Sequence, residues 1–213
     1  PVLASVVIAA SISLADLPAT RRLWRQRRME FGVSMVAFFG VALLGVLPGI
    51  GIAVGISILN VFRRMWRPYR VELAVVDGLD GYHDLDAHPE GVRIPGLVIF
   101  RFDAPLVFAN SRTFRDEIRM LASAEPKPTW ILVAAEPITD VDTTAADMLE
   151  DLDEELNAAG ISLVFAEMKT PVQHKIERYE LTRTIDPAHF FHTLDDAVES
   201  FRAQHGRPPQ ENP

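Results

Sequence analysis

Residues 138–172 read ITDVDTTAADMLEDLDEELNAAGISLVFAEMKTPV, and their patterning decides the fold. Asp140, Asp142, Thr143 and Thr144 come first, oxygen-bearing side chains suited to the orphan N–H groups of an opening helix. Met148, Leu149, Leu152 and Leu156 then recur at helical spacing within Thr144 to Ala159, which predicts an amphipathic helix. Ser162 to Ala166 is a short continuous apolar run and reads as a buried strand. Pro171 fits the first turn of a further helix reaching Tyr179. Helix and strand alternating in this way predict a sheet with helices packed against it.

The flanking sequence extends the pattern. Upstream, Val71 to Val76 alternates as a strand does, and Asp77 to Glu90, rich in Gly, Asp and His, reads as an exposed loop. Leu97 to Phe102 and Leu106 to Phe108 are strand-like, Thr113 to Ser123 has helical spacing, and Trp130 to Ala135 is an apolar strand. Asn110 or Ser111 is expected to cap the helix that follows, with Arg112 on the surface. The same three residues, at a helix start, are candidates to meet an anion or a nucleotide phosphate. Downstream, Phe190 to His192 reads as a short strand and Asp195 to His205 as a closing amphipathic helix.

Before residue 70 the chain changes character. Residues 1–70 carry nine basic and two acidic residues, whereas residues 71–213 carry twelve basic and twenty-seven acidic ones, so the net charge of −8 describes neither part. Pro1 to Leu17 is apolar apart from Asp16, close to the length needed to cross a bilayer core. Arg21, Arg22, Arg25, Arg27 and Arg28 surround Trp24, as in an interfacial linker. Phe31 to Leu47 and Ile50 to Phe62 are uncharged and are expected to form two apolar helices meeting at Pro48-Gly49. Arg63, Arg64, Arg67 and Arg70 with Trp66 close the region, so a hairpin puts both arginine clusters on one face, the cytoplasmic one. The alternative is a buried hairpin of a water-soluble protein, because each leg is shorter than about 20 residues. An apolar run that starts at Pro1 with no basic segment before it suggests a piece of a longer chain.

Several runs in order resemble a known family: IPGLVIFRFDAPLVFANSRTFRDEI from Ile94 to Ile118, the opening run from Ile138 to Val172, and HFFHTLDDAV from His189 to Val198. Together they resemble the STAS domain that ends SulP anion transporters, and PGIGIAVGISIL after the arginine-rich linker resembles the last membrane helices of that family. The resemblance implies transmembrane helices over 1–70, a cytoplasmic α/β STAS domain with a mixed sheet over 71–205, and a disordered tail over 206–213. It also implies a multi-pass protein of the inner cell membrane, a secondary active transporter of sulfate, bicarbonate or a dicarboxylate. Its partners would be the anion, bound by a transport core outside this sequence, the lipid bilayer, a second copy and a cytoplasmic regulatory protein. The competing reading is a membrane-tethered STAS module that works by protein contact without transport.

Related anti-anti-sigma proteins carry Asp-Ser-Ser-Gly where this chain has Asp142-Thr143-Thr144-Ala145. By that resemblance Thr143 corresponds to a phosphorylated Ser, Thr144 to its neighbour, and Asp140, Asp142 and Asp147 to a regulatory surface. Thr for Ser and Ala for Gly depart from the pattern, and plain helix capping explains the same residues. A phosphate beside three carboxylates would meet like charge.

The remaining polar clusters point away from catalysis. Glu150, Asp151, Asp153, Glu154 and Glu155 read as a solvated helix face, and His189 and His192 as structural or exposed. Gly49 to Gly55 matches a dinucleotide loop only on paper, since no strand precedes it. The acidic second part lacks the Lys/Arg stripe that nucleic acid requires. No nucleophile elbow, phosphate loop, zinc motif or cysteine occurs, so neither an enzyme, a metal site nor a cofactor is expected.

Overall fold

The computed structural model describes residues 5–6, 17–26, 28–66 and 68–205, and the chain divides into two compact units, Pro1–Arg63 and Arg64–Pro213. Most of the expected span Pro1 to Leu17, and the whole expected tail 206–213, lie outside the described residues.

In the first unit α1 (Leu17–Gln26) carries Arg21, Arg22 and Arg25 on its exposed surface, and the Trp24 ring meets Phe31 edge-on at 4.9 Å. It is followed by α2 (Arg28–Leu44) and α3 (Val46–Trp66), the last running past the division. The two apolar helices do not meet at Pro48-Gly49 as the sequence suggests. They break at Gly45, whose φ of +92° is left-handed, a conformation that glycine reaches at little cost. The Gly45 N–H closes α2 on the Val41 carbonyl, and its own carbonyl accepts from the Gly49 N–H to open α3. Pro48 therefore falls in the first turn of α3, where a missing N–H leaves no bond unmade. Among the described residues α3 alone is long and apolar enough to cross a membrane, over Val46–Arg63 at mean hydropathy 1.7. Phe38, Leu43, Leu47 and Leu59 all stand exposed on α2 and α3.

The second unit is a six-stranded mixed sheet. Its strands are β1 (Tyr69–Val75), β2 (Tyr82–Asp84), β3 (Leu97–Asp103), β4 (Trp130–Ala134), β5 (Ser162–Ala166) and β6 (Phe190–Phe191), in spatial order β2-β1-β3-β4-β5-β6. β1 runs antiparallel to both neighbours, whereas β3, β4, β5 and β6 are mutually parallel. Parallel neighbours need crossovers, supplied by α4 (Ser111–Ala122), α5 (Thr143–Ala158) and α6 (Thr170–Arg178), with α7 (Leu194–His205) closing the chain.

Every residue of β4 is buried, so the sheet has a core on each face. Phe100, Phe102, Ile131 and Val133 face Phe114 and Ile118 of α4 and Leu149 and Leu152 of α5. Ile99, Trp130 and Leu132 belong to the other face, with Ala197, Val198 and Phe201 of α7. Phe114 closes the first core with edge-on contacts to Phe100 at 5.9 Å and Phe102 at 5.3 Å, geometry that an aromatic quadrupole favours.

Two expectations are corrected. Residues 77–90 are not all loop, because Tyr82–Asp84 pairs with Leu73–Val75 as an edge strand. Leu106 to Phe108 is not a strand; only Leu106 bridges, to Val141, and the following residues are bent back by Asn110.

The glycines of the hairpin separate into two kinds. A Cβ on Gly49 would lie 2.6 Å from Val41 Cα, whereas one on Gly51 or Gly55 would meet nothing within 4 Å. Gly49→Ala should therefore lower the thermal midpoint of the detergent-solubilised chain by several degrees. Gly51→Ala should leave it unchanged or raise it through the better helix propensity of alanine, about 1 kcal/mol. Differential scanning fluorimetry of the two variants checks both signs.

Candidate functional site

The parallel order of β3 and β4 places their C-terminal ends side by side, and the loops that leave them, 104–110 and 135–142, are tied together. The Leu106 N–H donates to the Asp140 carbonyl at 2.8 Å, and the Asp142 N–H to the Leu106 carbonyl at 3.2 Å. Asp142 then holds both loops with one carboxylate. Its Oδ1 accepts from the Ala145 N–H at 2.8 Å, capping α5, and its Oδ2 accepts from the Phe108 N–H at 2.8 Å. Asp140 Oδ1 accepts from the Val141 N–H and pairs with Lys175 Nζ, reached from α6; that pairing raises the Lys175 pKa.

Thr143 and Thr144 occupy the first two positions of α5 and are exposed, and so is Asp147 one turn on. Two of the three acids near Thr143 are thus already matched, Asp140 by an ammonium and Asp142 by two N–H groups. The positive end of a helix dipole lies beneath Thr143. Like-charge repulsion at Thr143 is weaker than the bare sequence implies. Phe108 stands 65 % exposed on the neighbouring loop, anchored by the same Asp142, and no sequence signal sets it apart from the apolar residues around it.

Asn110 and Ser111 are placed differently from expectation. Asn110 sits at the N-cap position of α4 but its side chain makes no cap. It is fully buried, accepting from the Val107 N–H at 2.9 Å and donating to the Pro105 carbonyl at 2.9 Å, and so shapes the loop. Ser111 is also buried, its Oγ 3.4 Å from the Phe108 carbonyl. Of the three, Arg112 alone is exposed.

The acidic run on α5 holds a further correction. Glu150, Asp151, Glu154 and Glu155 are exposed, with Arg115 and Arg119 of α4 paired to Asp151 and Glu155. Asp153, however, is 1 % exposed. Burial pushes its carboxyl up to about 6, against the lowering effect of a 2.9 Å hydrogen bond from Asn157. His189 is half-buried in the turn before β6, its ring 5.7 Å from Trp130, and burial holds its pKa below the ordinary imidazole range. His192 is exposed. Among the described residues no cluster of His, Asp and Glu has metal-ligating geometry.

Comparison with known proteins agrees with this architecture. Residues 88–197 match the STAS domain family, to which the chain belongs. The match lies within the α/β unit. The chain is 38 % identical over 201 residues to a probable sulfate transporter of Mycobacterium tuberculosis, covering 94 % of this chain and 36 % of the relative. With sulfate transporter 1.3 of Arabidopsis thaliana it shares 33 % identity over 208 residues, 93 % of this chain and 32 % of the relative. The chain thus spans about a third of the length of these curated relatives. In structure it is similar to the murine Slc26a9 anion transporter in the inward-facing state, with a TM-score of 0.83 at 23 % identity over 94 % of this chain and 32 % of that one.

Two outcomes follow from the carboxylates. Asp142→Ala removes a helix cap and releases the Phe108 loop, and should cost about 1–2 kcal/mol, read from urea unfolding midpoints, with Asp142→Asn falling between it and the parent. Asp153 has a folded pKa raised above the unfolded value, so its favourable contribution is complete below about pH 4 and is lost as pH rises through 6. Asp153→Asn should accordingly raise stability at pH 7 by roughly 3 kcal/mol and flatten the loss between pH 4 and 6, measured by unfolding across that range.

Proposed function

We propose that this chain is the regulatory end of a multi-pass secondary transporter of sulfate or a related small anion in the inner cell membrane, its STAS domain lying in the cytoplasm. The observation that carries the reading is the extent of the match. Identity with the mycobacterial sulfate transporter runs over 94 % of this chain, apolar hairpin included, and not over the STAS residues alone. Supporting it are the exposed apolar surfaces of α2 and α3 and the arginines at the outer ends of the hairpin, Arg28 and Arg63, the charge placement of a cytoplasmic border.

In this reading residues 1–70 belong to the transmembrane part, 71–205 form the STAS domain and 206–213 a tail. The transport core that selects the anion is contributed by sequence beyond this chain. The edge formed by Asp140, Asp142, Thr143, Thr144, Asp147 and Phe108 is the regulatory surface, where a cytoplasmic partner docks and phosphorylation of Thr143 alters that contact. Arg112, on the adjoining helix start, is the residue of its trio accessible to an anion. Homodimerisation completes the assembly.

The test is uptake of radiolabelled sulfate into liposomes holding the full-length protein. Saturable uptake, competed by selenate, is expected. Thr143→Glu should change its rate at least twofold without lowering the amount of protein inserted, whereas Thr144→Val should not. A protein that inserts correctly and moves no sulfate, bicarbonate or dicarboxylate would overturn the transporter reading in favour of a membrane-tethered interaction module.

A further inference from the structure

The first unit contains a groove whose rim and floor differ in chemistry. Arg28 begins α2 and Arg63 lies near the end of α3, 35 residues later, yet both line one hollow of about 340 Å³ because the break at Gly45 folds the helices back on each other. Its floor is apolar, formed by Val33 and Val36 from α2 and by Ile56 and Leu59 from α3. Val36 also lines a second apolar hollow farther along, so the apolar track continues away from the arginines.

Both guanidinium groups are exposed. Among the described residues neither has a carboxylate partner; Arg63 Nη1 donates instead to the thioether of Met29 at 3.8 Å, a weak acceptor. Two uncompensated guanidiniums at one mouth form a planar-donor site matched to phosphate oxygens. From Arg28 to Val36 the helix rises roughly 12 Å, comparable with the roughly 15 Å half-thickness of a bilayer's hydrocarbon core. A free anion would use the rim and leave the floor unused. A neighbouring apolar helix would use the floor and leave two charges unmatched. An amphiphile with an anionic head uses both.

We propose that this groove binds one anionic phospholipid, its phosphate held by Arg28 and Arg63 and an acyl chain lying along Val33, Val36, Ile56 and Leu59. The proposal rests on the membrane reading above and deepens it. The site lets the charge of the cytoplasmic leaflet act on the helix pair that leads into the STAS domain.

The experiment uses the full-length protein, first tested for resistance to carbonate extraction from its membranes. It is then purified in a neutral detergent and offered equal amounts of phosphatidylglycerol and phosphatidylcholine, and the retained lipid is read by native mass spectrometry. The parent should keep phosphatidylglycerol at least tenfold over phosphatidylcholine. Arg28→Gln with Arg63→Gln should abolish the preference, and Arg28→Lys with Arg63→Lys should restore part of it. Ile56→Trp, which fills the floor and keeps the charge, should lower retention of both lipids. Millimolar inorganic phosphate should not displace the bound lipid.

Equal retention of the two lipids by the parent, or an unchanged preference in the double Gln variant, would overturn the proposal. So would displacement by inorganic phosphate, which marks a free-anion site. Absence of any retained lipid would show the groove filled by another helix and would equally overturn it. Release of the parent by carbonate would overturn the membrane reading as well, whereas a carbonate-resistant protein without lipid preference would leave that reading standing.

Discussion

The burial of β4 on both faces is the constraint from which the α/β unit follows. Trp130, Ile131, Leu132, Val133 and Ala134 leave no side open to water, so helices must cover the sheet above and below. Covering it requires crossovers between parallel strands, and these fix α4 and α5 on one face and leave α7 for the other. The same parallel order brings the ends of β3 and β4 together. Without it the Asp142 carboxylate would cap a helix and do nothing else. With it, one side chain joins the start of α5 to the Phe108 loop, and the exposed edge around Thr143 acquires a defined shape.

Local patterning made the main elements readable. The apolar runs of β4 and β5 and the helical spacing of Met148, Leu149, Leu152 and Leu156 depend on neighbours in sequence, and all of these residues except the half-buried Ser162 are buried as their spacing implies. The capping role of Asp142 was legible for the same reason. Features set by distant parts of the chain were not. Asp153 sits in a run of acids, yet the fold buries it while Glu150, Asp151, Glu154 and Glu155 stay exposed. The Asp140–Lys175 pair joins residues 35 apart. Tyr82–Asp84 becomes a strand because the edge of β1 is free to pair, which three polar-looking residues do not announce. Pro48 looked like the hairpin's break because proline ends helices in their interior, yet it is harmless in a first turn, and the left-handed Gly45 makes the break.

The two units also differ in what holds them. The α/β unit has large apolar side chains sealed on both faces of its sheet. Among the described residues, the helical unit leaves most of its apolar side chains exposed, and burial among them cannot account for its stability in water. A lipid surround, or further helices of the same protein, supplies the missing cover in the proposed reading, and it places the arginines of α1 and of the hairpin ends at one boundary.

That placement is open to a direct measurement in the full-length protein, with any cysteine outside these 213 residues first replaced, since these residues contain none. Single cysteines at Gln26, Leu47 and Ser123, introduced one at a time and treated with a membrane-impermeant maleimide in right-side-out and inverted vesicles, report which side each position faces. The account predicts that Gln26→Cys and Ser123→Cys label only in inverted vesicles and Leu47→Cys only in right-side-out ones. Labelling of all three from the same side, or of Gln26→Cys and Ser123→Cys from opposite sides, would contradict it.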